Sequence, residues 1–217
     1  MLVTTETFCG ETGEVATLDF EISNFGGDAT GVVIRASSDA FPEASTDKFD
    51  VAAGSTVTIS CQVTTNDVES KDYPIRLTYT ADGNIFEDFS GDVAGTVGGD
   101  LKFHAVPNLE LVPEWLHGSS VVGTYNYTML YVTLKSNTVH DVQNATVFVT
   151  VEDNVPNLVV NPSPYSMIYV RANEQSEKVG IAIATYDSPA GSYPVQVKVE
   201  VDDYEVATET LTLEVRG

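Results

Sequence analysis

Apolar residues alternate with polar ones again and again along this chain, and that period of two restricts its possible folds more than any other feature. Leu18, Phe20 and Ile22 alternate with Asp19, Glu21 and Ser23. Val57, Ile59, Cys61 and Val63 alternate with Thr58, Ser60 and Gln62, and Ile75, Leu77 and Tyr79 with Arg76, Thr78 and Thr80. Near the end, Val195, Val197, Val199 and Val201 alternate with Gln196, Lys198 and Glu200. Successive side chains on a strand point to opposite faces, so each run builds one dry face and one wet face. No window carries a sustained helical stripe. Turn signals separate the runs: Phe25-Gly26-Gly27-Asp28, Ala81-Asp82-Gly83-Asn84 and Val201-Asp202-Asp203-Tyr204. The pattern predicts an all-β chain of antiparallel sandwiches.

The chain also repeats itself. Tyr73-Pro74-Ile75-Arg76-Leu77 returns as Tyr193-Pro194-Val195-Gln196-Val197, 120 residues on, and the same spacing carries Ile59, Cys61 and Val63 onto Val179, Ile181 and Ile183. Earlier strands repeat at shorter spacing. Leu18, Phe20 and Ile22 fall on Leu130, Val132 and Leu134 (112 residues), and Val32, Ile34 and Ala36 on Ala145, Val147 and Val149 (113 residues). The growth in spacing places an insertion in the middle of the second copy, where Pro156, Pro162 and Pro164 fit a loop or sheet edge. Two tandem immunoglobulin-like antiparallel β-sandwiches follow, residues 1–98 and 99–217, joined across the small-residue stretch Ala94–Asp100. Leu101 to Ala105 fit the end of the first sandwich or the start of the second. In each copy a Tyr-Pro pair opens the penultimate strand, where proline costs no ladder donor. Tyr73 and Tyr193 there read as corner tyrosines, whose hydroxyls tie the chain back to an upstream backbone group.

Charge narrows the partners. Ten Lys and Arg stand against 32 Asp and Glu, a formal charge of −22. Such a surface repels a phosphate backbone and anionic lipid, which disfavours nucleic acid as a partner. No run of apolar residues is long enough to cross a bilayer as a helix, and the polar opening Thr4-Thr5-Glu6 is unlike a secretory leader. Acidity of this degree suits a salty or calcium-rich medium, or solubility of an exposed surface.

Cys9 and Cys61 are the two cysteines; they are a disulfide candidate or two free thiols, and a bridge would imply an oxidising, extracytoplasmic setting. His104, His117 and His140 all fall within the expected second sandwich, residues 99–217, and are expected to lie away from the cysteines. Asn126-Tyr127-Thr128 and Asn144-Ala145-Thr146 satisfy the N-glycosylation rule, making Asn126 and Asn144 acceptor candidates. Carboxylates cluster at Asp202-Asp203 with Glu205, at Glu87-Asp88 with Asp92, and at Glu152-Asp153. Calcium needs six to eight converging oxygens, and no Asp-x-Asp-x-Asp-Gly loop occurs, so no cofactor is expected beyond an optional calcium ion. There is no Gly-x-Ser-x-Gly elbow and no His-x-x-x-His spacing, so the chain reads as non-catalytic. Trp115 suits a core or interdomain plug; an exposed aromatic patch near Trp115, Tyr125, Tyr127 or Tyr131 would suit a sugar.

The run Val15 to Ala29, with its alternation leading into Asn24-Phe25-Gly26-Gly27-Asp28, resembles the signature of CARDB-like domains, cell-adhesion-related modules of archaeal and bacterial surface proteins. Gly54-Ser55-Thr56-Val57, Pro107-Asn108-Leu109 and Gly191-Ser192-Tyr193-Pro194 are similar to other parts of that pattern. The second copy departs at Thr138-Val139-His140, where a different turn is expected, and the first has Asp72 rather than a glycine before Tyr73. The resemblance implies a non-enzymatic extracellular module, a piece of a larger and S-layer-related cell-surface protein. Its partners would be other surface-protein domains or cell-surface components. A carbohydrate-binding module or a calcium-rigidified adhesin is the alternative.

Overall fold

Each alternating run becomes a strand, with its apolar residues turned inward. The computed structural model describes residues 2–3, 7–81, 84–87, 101–151 and 155–217, with side chains described from residue 8 onward except at 84–87. The chain divides into two units, Met1–Val106 and Pro107–Gly217. Among the described residues, the one departure from strands and loops is a 3₁₀ turn at Leu116–Gly118.

The first unit runs β1 (Leu2–Val3), β2 (Thr7–Glu11), β3 (Val15–Ser23), β4 (Ala29–Ser38), β5 (Phe41–Ser45), β6 (Phe49–Val51), β7 (Thr56–Thr64), β8 (Lys71–Pro74), β9 (Arg76–Ala81), β10 (Asn84–Glu87) and β11 (Lys102–Val106). Its sheets are β1-β3-β7, β10-β9-β4-β5 with β6 also on β4, and β2-β11-β8. The second unit runs β12 (Leu109–Trp115), β13 (Val121–Gly123), β14 (Tyr127–Ser136), β15 (Val142–Val151), β16 (Leu158–Asn161), β17 (Tyr165–Val170), β18 (Val179–Thr185), β19 (Gly191–Val201) and β20 (Tyr204–Arg216). Its sheets are β12-β14-β18-β16 and β13-β20-β19-β15-β17. Those two orders are the immunoglobulin-like ones, the first, second, fifth and fourth strands in one layer and the last, sixth and third in the other.

The duplication reaches the pairing register. In β3 and β7 Leu18 faces Cys61 and Phe20 faces Ile59; in β14 and β18 Leu130 faces Ile181 and Val132 faces Val179. Likewise Ala36 faces Leu77 in the first unit, and Val149 faces Val197 in the second. A slip of one residue would turn every dry face outward, so the two copies hold the same register for the same reason. The expected insertion is also accounted for. After β15 the chain adds β16 to the far edge of β18, then returns to pair β17 with β15. In the first unit β7 has no such neighbour among the described residues.

The cores differ in chemistry. Phe20, Phe41 and Phe103 fill the first, Phe41 and Phe103 meeting edge to face at 5.3 Å. The buried hydrophobic residues of the second are aliphatic among the described residues, led by Leu130, Leu134, Ile181 and Ile183. Its aromatic residues therefore stand outside the core.

A threonine hydroxyl locks each unit at the same place. The Thr65 N–H donates to the Glu14 carbonyl at 2.9 Å, and the Thr65 hydroxyl oxygen accepts the Glu14 N–H at 3.0 Å. The Thr65 O–H lies 2.5 Å from the Glu11 carbonyl and 2.9 Å from that of Glu14. In the second unit Thr185 does the same with Gly123 and Asn126: its N–H donates to the Asn126 carbonyl at 2.8 Å, its hydroxyl accepts the Asn126 N–H at 3.2 Å, and its O–H lies 2.6 Å from the Gly123 carbonyl. Both threonines are buried.

Just before that lock, the chain lays a short strand parallel to the last strand of its own unit. Thr7 to Glu11 pair with Lys102 to Val106, and Val121 to Gly123 with Glu214 to Arg216. In the first unit this requires Gly10, where a Cβ would come within 2.8 Å of the Phe103 ring and 2.7 Å of the Ala16 Cβ. The second unit has Val122 at the matching register, opposite Val215, with the smaller Leu213 in place of phenylalanine.

β11 corrects the expected boundary. It pairs with β2 and β8, so Leu101 to Val106 complete the first unit, which ends after Val106 rather than at Gly98. The linker stretch Ala94–Asp100 lies outside the described residues.

Replacing either lock residue by valine strands several partly buried polar backbone groups. Thr65→Val and Thr185→Val should each cost about 1–3 kcal/mol in urea unfolding, and Thr→Ser at either position should recover most of it.

Candidate functional site

Three chemically capable side chains share one row of the β2-β11-β8 sheet. Cys9 faces His104, and His104 faces Asp72 on its other side. The expectation that the histidines lie away from the cysteines therefore fails for His104, because β11 belongs to the first unit. The Asp72 carboxylate sits 2.7 Å from Nδ1 of the buried His104 and 3.3 Å from Lys102 Nζ. The His104 hydrogen bond, followed by that of Lys102, holds the Asp72 carboxyl below the ordinary aspartate range. Partial burial, with Glu11 adding to it, pushes the Cys9 thiol up. The Asp72 carboxylate thus ties β8 to β11 through His104 and Lys102.

The disulfide candidate is corrected as well: Cys9 and Cys61 are both free thiols. Cys9 is exposed on β2, whereas Cys61 is buried opposite Leu18, its thiol pushed up by burial and then by Asp19. Both corner tyrosines make their bond. The Tyr73 hydroxyl donates to the Glu69 carbonyl at 3.1 Å and the Tyr193 hydroxyl to the Pro189 carbonyl at 2.9 Å. The glycosylation candidates are both exposed; Asn126 lies in the loop before β14 and Asn144 protrudes at a bulge of β15 with φ +58°.

The departing turn of the second copy differs as expected. In the first unit the Asn24 carboxamide accepts the Gly26 N–H and donates to the Gly27, Val51 and Ala52 carbonyls. In the second, the Ser136 hydroxyl accepts the Thr138 N–H at 3.3 Å.

Asp202 and Asp203 both take positive φ, the pair of angles a two-residue hairpin turn demands, and they join β19 to β20. Their placement is thus explained by the turn. Among the described residues no group of three or more His, Cys, Asp or Glu is arranged to hold a metal ion. Asp88, Asp92 and Glu152-Asp153 lie outside the described residues, as does the side chain of Glu87.

Aromatic residues gather where two loops of the second unit meet. Tyr125 and Asn126 come from the β13–β14 connection, Tyr127 opens β14 and Tyr186 follows β18. With Ala182, Ala184 and Thr185 they line an open groove of 480 Å³. Tyr125 is 75% exposed, Tyr127 63% and Tyr186 61%. The loops are tied down by backbone bonds: Asp187 N–H to the Thr124 carbonyl at 2.8 Å and Tyr186 N–H to the Asn157 carbonyl at 2.8 Å, besides those of Thr185. The Tyr125 hydroxyl donates to Asp187.

Tyr131 and Trp115 do not join this group. The Tyr131 ring lies against Gly180, where a Cβ would come within 3.3 Å of it, and beneath Lys178 Nζ at 5.4 Å. Trp115 is half-buried at the end of β12. A second groove, of 510 Å³, runs beside Tyr165, Met167 and Tyr169, with Arg171 and Glu174 on its rim.

No family model matches the chain, and no curated protein sequence does. Among solved structures it is similar to a transglutaminase from red sea bream, at 13% identity and a TM-score of 0.43, over 99% of this chain and 31% of that one. It is also similar to CBD12 from CALX1.2, at 9% identity and a TM-score of 0.36, over 94% of this chain and 82% of that one. The chain thus spans about a third of the transglutaminase's length.

Two measurements check this geometry. Under native conditions an aromatic disulfide reagent should titrate Cys9 promptly, and Cys61 only on unfolding. Asp72→Asn should lower stability above about pH 4, where the native carboxylate is charged. The gap between variant and native protein should close as pH falls through the depressed native value, because protonation removes the same bond.

Proposed function

We propose that this chain is a non-catalytic, load-bearing module of a larger cell-surface protein, spacing and presenting other domains rather than transforming a substrate. The observation that carries the reading is the parallel pairing of the early strand with the last strand in both units, β2 with β11 and β13 with β20. Tension applied through a unit's two ends pulls these neighbours in opposite directions along their length. The hydrogen bonds between them are then loaded together in shear, instead of opening one at a time as in a peeled hairpin. The lock threonine grips the carbonyl of the last residue of each early strand, Glu11 or Gly123, at the point where slippage would begin.

Other features support a surface location. The charge of −22 keeps neighbouring copies from pairing through their sheet edges. Asn126 and Asn144 present two exposed glycosylation sequons, and the CARDB-like turn at Asn24–Asp28 points to adhesion-related modules. The partners in this reading are neighbouring domains of the same protein or components of the cell surface.

Single-molecule stretching of the chain between inert handles tests it. Two separate unfolding events are expected at forces well above those of peeled hairpins. Val122→Pro removes a backbone donor from β13 and should lower one event while leaving the other in place. Thr185→Val, which leaves the strand itself intact, should lower the same event to a lesser extent. Unfolding of both units at the low force of unzipping would dispose of the load-bearing reading.

A further inference from the structure

The internal duplication supplies its own control for the aromatic groove. The lock is present in both units, so Thr65 and Thr185 answer a need of the fold. The groove residues are not repeated. At the positions of Tyr125, Asn126 and Tyr127 the first unit has Gly13, Glu14 and Val15. At those of Ala182, Ala184 and Tyr186 it has Gln62, Thr64 and Asn66. The same scaffold therefore folds without an aromatic residue there, and folding alone does not account for three tyrosines standing in water.

We propose that the groove formed by Tyr125, Asn126, Tyr127 and Tyr186 binds a neutral saccharide. Chemistry selects that class. The lining residues carry no formal charge, and Asp187 beside them has its carboxylate on the Tyr125 hydroxyl. Among the described residues no lysine or arginine lines the groove, and the acidity of the chain repels an anion. A second copy of this chain would bring another 22 negative charges against the first. A sugar ring offers what fits: apolar C–H faces to stack on exposed tyrosines, and hydroxyls for the Asn126 carboxamide and the tyrosine hydroxyls. Ala182 and Ala184 keep the floor low enough for a ring to lie between the aromatic walls. A volume of 480 Å³ is within the roughly 300–1,000 Å³ of ordinary ligand sites and has room for a short oligosaccharide. Because the loops are already fixed by Thr185 and the backbone bonds around it, binding orders little.

The saccharide has two sources, a free glycan or one attached at Asn126 itself, and the test separates them. The whole chain, made in a host that does not N-glycosylate, is applied to an array of neutral and acidic glycans. In parallel, protein from an N-glycosylating host is melted before and after enzymatic glycan removal. A free ligand gives a neutral-glycan response that Tyr127→Ala and Tyr186→Ala each weaken roughly three- to tenfold, as loss of one stacking contact would. Val15→Ala at the matching position of the first unit should leave that response unchanged. An attached ligand gives a higher melting temperature for the glycosylated protein, a gain lost in the same tyrosine variants. The proposal is overturned by silence in both arms, by a response confined to acidic glycans, or by one indifferent to the tyrosines. Equal melting temperatures of the unglycosylated proteins establish that the variants fold. The stretching experiment reads β13 and β20 instead, so either idea can fail without the other.

Discussion

One buried hydroxyl in each sandwich holds together parts of the chain that would otherwise be independent. Thr65 and Thr185 end the fifth strand of the immunoglobulin-like plan, and each satisfies the turn that leads from the short parallel strand into the second strand. A hydroxyl is small enough to be buried there and can accept and donate at once, which neither valine nor alanine does. The backbone groups it serves are partly buried, and leaving them unmet costs more than the bonds themselves contribute. Because that turn also ends the parallel strand, the hydroxyl fixes one end of the parallel-paired strands. In the second unit it also fixes the loop bearing Tyr125 to Tyr127. The parallel strand pair and the tyrosine-bearing groove thus share a single anchor.

The two cores show how one register tolerates different fillings. Phenylalanines occupy the first, and branched aliphatic residues the second. With its interior filled by valine, leucine and isoleucine, the second unit carries its tyrosines on the outside. The 32 carboxylates of the chain work against association through those rings.

Much of this architecture was legible because strand side chains obey a strict period of two. The matched runs at Leu18–Ile22 and Leu130–Leu134 predicted inward faces, and Tyr73 and Tyr193 predicted corner bonds that both form. What escaped notice depends on neighbours far apart in sequence. His104 lies beside Cys9 and Asp72 only because β11 closes the first unit across an interval that composition marks as a linker. Tyr186 joins Tyr125 and Tyr127 only once β18 pairs with β14. Thr65 and Thr185 carried a readable signal, since they recur at the same spacing as the Tyr-Pro pairs. In a threonine-rich chain, though, a hydroxyl residue at a strand end attracts no attention until its hydrogen bonds are seen.

Tandem copies of one fold run a risk during synthesis, because a strand from one copy can settle into the other. The size exchange between Gly10 with Phe103 and Val122 with Leu213 works against that error. Were β13 to dock on the first unit, Val122 would be driven into a ring that leaves no space for even a methyl group at Gly10. The place of β2 beside β11 is thus closed on steric grounds to a strand with a side chain at that position, β13 included.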